Sequence, residues 1–174
     1  QILQTLATGV QSLGLSHPLH IHGCNLGVPG NMDSTLDMIR GLDGIPAHLA
    51  HLQFHSYGLE GDRHFSSGAA AIAEIVNANP NISIDVGQVM FGQTVTESGD
   101  SMAQYAGHVF ADPKKWVGMD IECDAGCGVV PFRYKDKNFV NALQWTIGLE
   151  LFLLIDDPWR VFLTTDHPNG APFT

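Results

Sequence analysis

The sequence predicts an α/β fold built on a parallel sheet, and two observations support this. Segments with apolar residues at helical spacing take turns with short runs in which apolar and polar residues alternate. That order of helix, strand, helix, strand is shared by parallel architectures. The polar residues of those runs also collect at their C-terminal ends, at His22, His55 and Asp166, the rim on which α/β barrels carry their chemistry. A Rossmann-type open sheet gives the same alternation, so periodicity alone does not select a barrel. No Gly-x-Gly-x-x-Gly follows a strand to support a nucleotide fold.

The elements follow in order. Ile2, Leu3, Leu6, Val10 and Leu13 recur at helical spacing, which predicts an amphipathic helix over 2–13. The run 17–22 reads as a short strand ended by a loop rich in Gly and Pro, and Asn31 or Asp33 is placed to cap a helix running to about Leu42. Residues 47–55 alternate as a second strand. Ser66 and Ser67 stand ready to cap a helix over 69–78, which Asn79-Pro80 stops. Residues 82–86 form a third strand, a helix is expected near 100–110, and a helix over 138–150 leads to a strand over 160–165.

In a strand, successive side chains point to opposite faces. That rule puts His20 and His22 opposite Leu19 and Ile21, and puts Ser83 with Asp85. It aligns Thr164 and Asp166 with Phe162. In the second strand it groups Leu49, His51, Gln53 and His55 against His48, Ala50, Leu52 and Phe54. A parallel strand covered on both sides should be almost continuously apolar. Two His and a Gln on one face are costly unless they are paired or bind something. We read His20, His48 and His51 as hydrogen-bonded core residues, with His20 also placed to support a ligand. His22, His55 and Asp166 then form a set suited to Zn²⁺ or a related metal, although Asp166 alone also suits a cap before Pro168.

Composition narrows the function classes. The chain has 174 residues, 44% of them hydrophobic, which argues for a packed core and against disorder. Eighteen acidic residues against eight basic ones give a net charge of −10. With no Lys/Arg cluster beyond a pair, no nucleic-acid partner is expected. The longest apolar stretch, 139–155, is interrupted by Asn141, Gln144, Thr146, Gly148 and Glu150, so no membrane span is expected either. Three cysteines make no disulfide framework and favour reduced thiols in a cytoplasmic protein. Cys123 and Cys127 lack the further ligands of a zinc knuckle. The start at Gln1 inside a helical pattern, and a length below the ~250 residues of a full (β/α)₈ barrel, predict a fragment of one barrel domain over 1–174, incomplete at both ends.

The motifs then carry a resemblance. His22-Gly-Cys-Asn, His55-Ser and Thr165-Asp166-His167 resemble the fifth-, sixth- and eighth-strand motifs of the amidohydrolase superfamily, which includes dihydroorotases and hydantoinases. The longer runs 22–31, 53–58, 85–92, 134–142 and 165–170 resemble the A subunits of formylmethanofuran dehydrogenases and of bacterial formyltransferase/hydrolase complexes. The resemblance spans the whole chain. It implies about strands 5 to 8, the C-terminal half, of a TIM-type (β/α)₈ barrel with a binuclear zinc site. His22 and His55 would bind one zinc, while Asp166 would bind the other and act as acid/base. The implied reaction interconverts an N-formyl, methanofuran-type carrier with formate and the free amine, within a multi-subunit complex.

The family pattern also needs a His-x-His pair on the first strand and a carboxylated Lys on the fourth, and neither lies in this stretch. Lys114, Lys115, Lys135 and Lys137 fall between the seventh and eighth strands and are not substitutes. The stretch alone is therefore expected to be inactive. Asn25, His167 and Asn169 lie within a few residues of the candidate ligands and are candidates to orient substrate. Two alternatives stand beside the leading reading: a catalytically silent barrel acting as a scaffold, and a generic hydantoinase- or dihydroorotase-like hydrolase.

Overall fold

The structure, a computed structural model, describes residues 2–25, 28–87, 94–98, 129–133 and 139–164. Helix α1 (Ile2–Ser12) leads to strand β1 (Leu19–His22), helix α2 (Met32–Leu42) and strand β2 (Ala47–Ala50). A 3₁₀ turn (Leu52–His55) follows, then the short strands β3 (Tyr57–Gly58) and β4 (Ser66–Ser67) and helix α3 (Ala69–Ala78). Strand β5 (Ile82–Gly87) comes next, with β6 (Thr94–Ser98) and β7 (Val129–Arg133) after it. Helix α4 (Phe139–Leu154), a 3₁₀ turn (Pro158–Arg160) and strand β8 (Val161–Thr164) complete the described chain.

The four longer-range strands form one parallel sheet in the order β1-β2-β5-β8. Each strand lies beside its sequence neighbour in the sheet and is reached through a helix, as the alternation predicts. The registers align Leu19, Ala47 and Ile82 in one row, and Ile21, Leu49, Ile84 and Val161 in another. These residues form the apolar face. Against it α3 presents Ala69, Ile72, Ala73 and Val76, spaced i, i+3, i+4, i+7. From α4, Leu143, Ile147 and Leu151 recur every four residues, and Ile155 continues the stripe just beyond the helix. Ile39 and Leu42 of α2 join the same core.

The opposite face of the sheet is polar. His20, His48 and Ser83 stand in one row across β1, β2 and β5. His22, Asp85 and Thr164 lie toward the C-terminal ends on the same face. This agrees with the alternation read for β1, β5 and β8.

Two readings need correction. The second strand does not run to His55. It ends at Ala50, because His51 takes a left-handed conformation (φ 50, ψ 45) that turns the chain into the 3₁₀ turn. Leu49, His51, Gln53 and His55 therefore do not share a strand face, and His55 is not a strand-end residue. The interruption cannot be seen in the hydrophobic pattern, because Leu52, Gln53, Phe54 and His55 keep alternating through it. His20 is also exposed rather than a core residue. Its ring stacks on His22 (5.1 Å between centroids) and lies 5.2 Å from that of His48.

Local details bear on the caps. Gly68 holds the N-cap of α3, and the Ser67 hydroxyl accepts the Ala69 N–H at 3.2 Å. Asn31 precedes α2, but its side chain is committed to loop contacts instead of the helix. The antiparallel pair β6–β7 has no counterpart in the sequence pattern, and the helix expected near 100–110 lies outside the described residues.

Candidate functional site

The site is organised around Asp85, a buried carboxylate on the polar face of β5. A carboxylate can only accept, so every group within hydrogen-bond distance must present a proton. Four do. On Oδ1 converge the His51 backbone N–H (2.8 Å), the Thr164 hydroxyl (2.8 Å) and the His51 ring nitrogen Nδ1 (2.9 Å). On Oδ2 sits His48 Nε2 at 3.0 Å. Three of them crowd Oδ1 and one meets Oδ2, against the roughly two lone-pair sites that each carboxylate oxygen offers. Burial pushes the Asp85 carboxyl up. The hydrogen bonds from His48 and from the ring and backbone of His51 outweigh that and hold it below the ordinary carboxylate range.

This geometry assigns the imidazoles. His48 donates through Nε2, and its Nδ1 lies 2.9 Å from the Ser83 hydroxyl, so both ring nitrogens are committed and His48 is a support. His51 donates through Nδ1, which leaves the ring lone pair on Nε2. Simple alternation would have put His51 with Leu49 on the apolar face. Its positive φ brings it instead to the polar rim, 5.6 Å from the ring of His22. His, Asn and Asp tolerate this backbone region better than other non-glycine residues.

His55 lies on the 3₁₀ turn, fully buried, and its Nδ1 donates to the Cys24 carbonyl at 3.2 Å. Its lone pair is also on Nε2. Burial, together with His22 and His51 nearby, lowers its pKa to about 4 against the opposing Cys24 contact. Gly23 packs directly on this ring, since a Cβ there would lie 2.8 Å from His55 Cγ and Nδ1. Thr35 donates to the His55 carbonyl at 2.7 Å. Asn31 ties the same turn to the loop after β1. Its Nδ2 donates to the carbonyls of Asn25 (2.9 Å) and Phe54 (2.7 Å), and its Oδ1 accepts from Tyr57 N–H (2.9 Å).

The expected ligands can now be placed. His22 is exposed at the end of β1, and His55 is buried beneath the loop that follows it. Asn25 is exposed, with a left-handed φ of 58, and its backbone carbonyl accepts from Asn31. Asp166, His167 and Asn169 lie outside the described residues, as do Cys123 and Cys127. Reading the sequence missed Asp85 and His51 as the centre of the arrangement. The available signal was a carboxylate in the apolar run Ile82-Ser83-Ile84-Asp85-Val86. Among the described residues, no group of three or more His, Cys, Asp or Glu converges closely enough to hold a metal ion. The fit to zinc is therefore one of donor chemistry: imidazoles whose tautomers are set by an acceptor behind the ring.

This chain belongs to the amidohydrolase family, whose model matches residues 3–174. It is 46% identical, over its whole length, to the A subunit (Fhc) of the formyltransferase/hydrolase complex of Methylorubrum extorquens. It is 43% identical, again over its whole length, to "Protein FwdA" of Methanocaldococcus jannaschii. Among solved structures it is similar to the crystal structure of the formyltransferase/hydrolase complex (FhcABCD) from Methylorubrum extorquens in complex with methylofuran. That likeness has a TM-score of 0.79 and 43% identity over 99% of this chain and 32% of the other. The chain spans about a third of the length of the curated relatives it matches, 32% of each. These relatives bear out the resemblance carried by the motifs. No helix among the described residues is long and apolar enough to cross a membrane.

Proposed function

We propose that this chain is part of the A subunit of a zinc-dependent amidohydrolase that acts on an N-formyl, methanofuran-type carrier. The products are formate and the free amine. The observation that carries the reading is the rim of β1 and β2, where His22 and the buttressed His51 stand together in a chain 46% identical to a protein of such a complex. In this reading the parallel strands β1, β2, β5 and β8 are about the fifth to eighth of a (β/α)₈ barrel, whose C-terminal rim carries the chemistry. The domain is a piece of one barrel, and the first-strand His pair and fourth-strand Lys belong to the rest of the protein. The partners are the other subunits of a cytoplasmic complex and the small-molecule carrier.

His22 and His55 would hold one zinc, and the tautomer of His51 makes it an alternative to His55 beside His22. Asp166 would hold a second zinc. A bound zinc supplies Lewis acidity that polarises the formyl carbonyl. Asp166 takes a proton from the attacking water and delivers it to the leaving nitrogen. Asn25, His167 and Asn169 would orient the carrier.

The test uses the protein expressed from its complete reading frame with its partner subunits. Zinc stoichiometry and formate release are measured for wild type, His22→Asn and Asp166→Asn. Loss of zinc in the first and of formate release in both is expected. Formate release equal to wild type in Asp166→Asn would remove that residue from the chemistry. A wild type without zinc and without formate release would favour the scaffold.

A further inference from the structure

We propose that Asp85 is a positioning residue that sets the tautomers of two imidazoles on this face, fixing His51 as the Nδ1–H form and His48 as the Nε2–H form. The inference deepens the reading of the site as a zinc amidohydrolase and rests on it for its consequence. The tautomers themselves follow from the hydrogen bonds alone.

Asp85 holds His51 through one carboxylate oxygen. Its Oδ1 takes both the backbone N–H and the ring Nδ1 of that one residue, at 2.8 and 2.9 Å. The backbone contact holds the left-handed turn in place, and the ring contact sets the rotation of the imidazole above it. Thr164 donates to the same oxygen at 2.8 Å from the neighbouring strand, so the carboxylate cannot swing away from β8 without losing that bond. His48, with Ser83 behind it, holds the second oxygen at 3.0 Å. The carboxylate is thus fixed from β2, β8 and the start of the 3₁₀ turn. It has no proton to give to His51 Nδ1. The Thr164 hydroxyl, 3.5 Å from that nitrogen, spends its one proton on the shorter bond to Asp85. The ring lone pair is forced onto Nε2, the nitrogen farther from the backbone and the one a metal ligand at a strand end would use. Removing the acceptor altogether, as in Asp85→Ala, leaves His51 Nδ1 without a carboxylate to donate to and lets the ring carry its proton on Nε2.

The experiment compares wild type and Asp85→Ala in the protein expressed from its complete reading frame. The first readout is the ¹⁵N chemical shifts of the selectively labelled His51 ring in zinc-depleted protein. The second is zinc affinity by competition with a chelator. Wild type should show the Nδ1–H form. Asp85→Ala should gain the Nε2–H form and bind zinc 10- to 100-fold more weakly, as loss of an outer-shell partner does. An Nε2–H ring in wild type overturns the proposal even if the variant fails to fold. Unchanged tautomer and affinity in a folded Asp85→Ala, with only a lower melting temperature, overturns it as well and leaves Asp85 as packing. If wild type binds no zinc yet shows the Nδ1–H ring that Asp85→Ala loses, the positioning role stands and the zinc reading fails.

Discussion

His51 and Asp85 meet twice through one carboxylate oxygen, which accepts the backbone N–H of His51 at 2.8 Å and lies 2.9 Å from its ring Nδ1. Conformation and chemistry are coupled here. The left-handed backbone that ends β2 is also what carries the His51 ring over Asp85, so the same contact stabilises both. Just beyond, Gln53 repeats the theme. Its amide donates to the Gly87 carbonyl at 3.2 Å and accepts the Gly87 N–H at 3.0 Å, as a backbone peptide of β2 would have done had the strand continued.

Gly87 should not tolerate a side chain. A Cβ there would lie 3.0 Å from Gln53 Nε2 and 3.1 Å from His51 Nδ1, with both neighbours held by hydrogen bonds. Gly87→Ala is expected to cost about 1–3 kcal/mol through overpacking. Because the strain falls on His51, zinc affinity should fall along with the urea midpoint. An unchanged midpoint would show that the turn yields freely.

Asn31 joins three backbone groups, one in the loop after β1, one in the 3₁₀ turn and one in β3. Asn31→Ala leaves the Phe54 carbonyl and the Tyr57 N–H without that partner in a buried setting. At ~1–3 kcal/mol per buried unsatisfied group, a loss of roughly 3 kcal/mol is expected. Hydrogen exchange should report faster exchange at the Tyr57 amide, with the amides of α4 slowed or quickened only as far as global stability changes. Local protection of Tyr57 equal to wild type would contradict this account.

Acid should destabilise the zinc-depleted protein over a defined window. Unfolded His55 takes a proton at its ordinary value of 6.5, whereas in the fold it does so only at about 4. Above pH 6.5 both states are neutral and stability is complete. As pH falls from 6.5 toward 4 the unfolded state binds the proton first, so stability is lost, on the order of 3 kcal/mol in all. His20, exposed but partly desolvated and beside the imidazoles of His22 and His48, is lowered too and acts in the same direction. Asp85 adds its own loss only below its unfolded value of 3.8. Urea midpoints at pH 7.5, 6 and 4.5 should fall in wild type and flatten in His55→Gln. A slope of equal size in the variant would assign the effect elsewhere.

Much of this arrangement is legible in the residues. The spacings of apolar residues in α2, α3 and α4 are burial patterns, whereas in α1 the stripe is legible but not buried: Ile2, Leu6 and Leu13 are exposed and only Ala7 is buried. The placement of His20, His22, Ser83 and Asp85 on one face follows from the two-residue period of strands. What is not legible depends on single dihedral angles and on distant partners. Nothing in Ala50-His51-Leu52 announces a positive φ, and an apolar–polar alternation continues across it. The carboxylate read as one polar residue among apolar neighbours becomes the hub only once β5 lies beside β2. The pair β6–β7 joins segments far apart in sequence that no local pattern links.

The Gln53–Gly87 pairing also bears on the order of assembly. That pair and the bonds from His51 and His48 to Asp85 link residues 34 to 37 positions apart, with α3 between them. None of these bonds can form locally, and the chain must first close a loop through α3. The histidines are therefore made before the carboxylate that orients them. Formation of the site and docking of β5 on β2 become a single event, and a growing chain that has not yet reached Gly87 has its imidazoles but no frame to hold them.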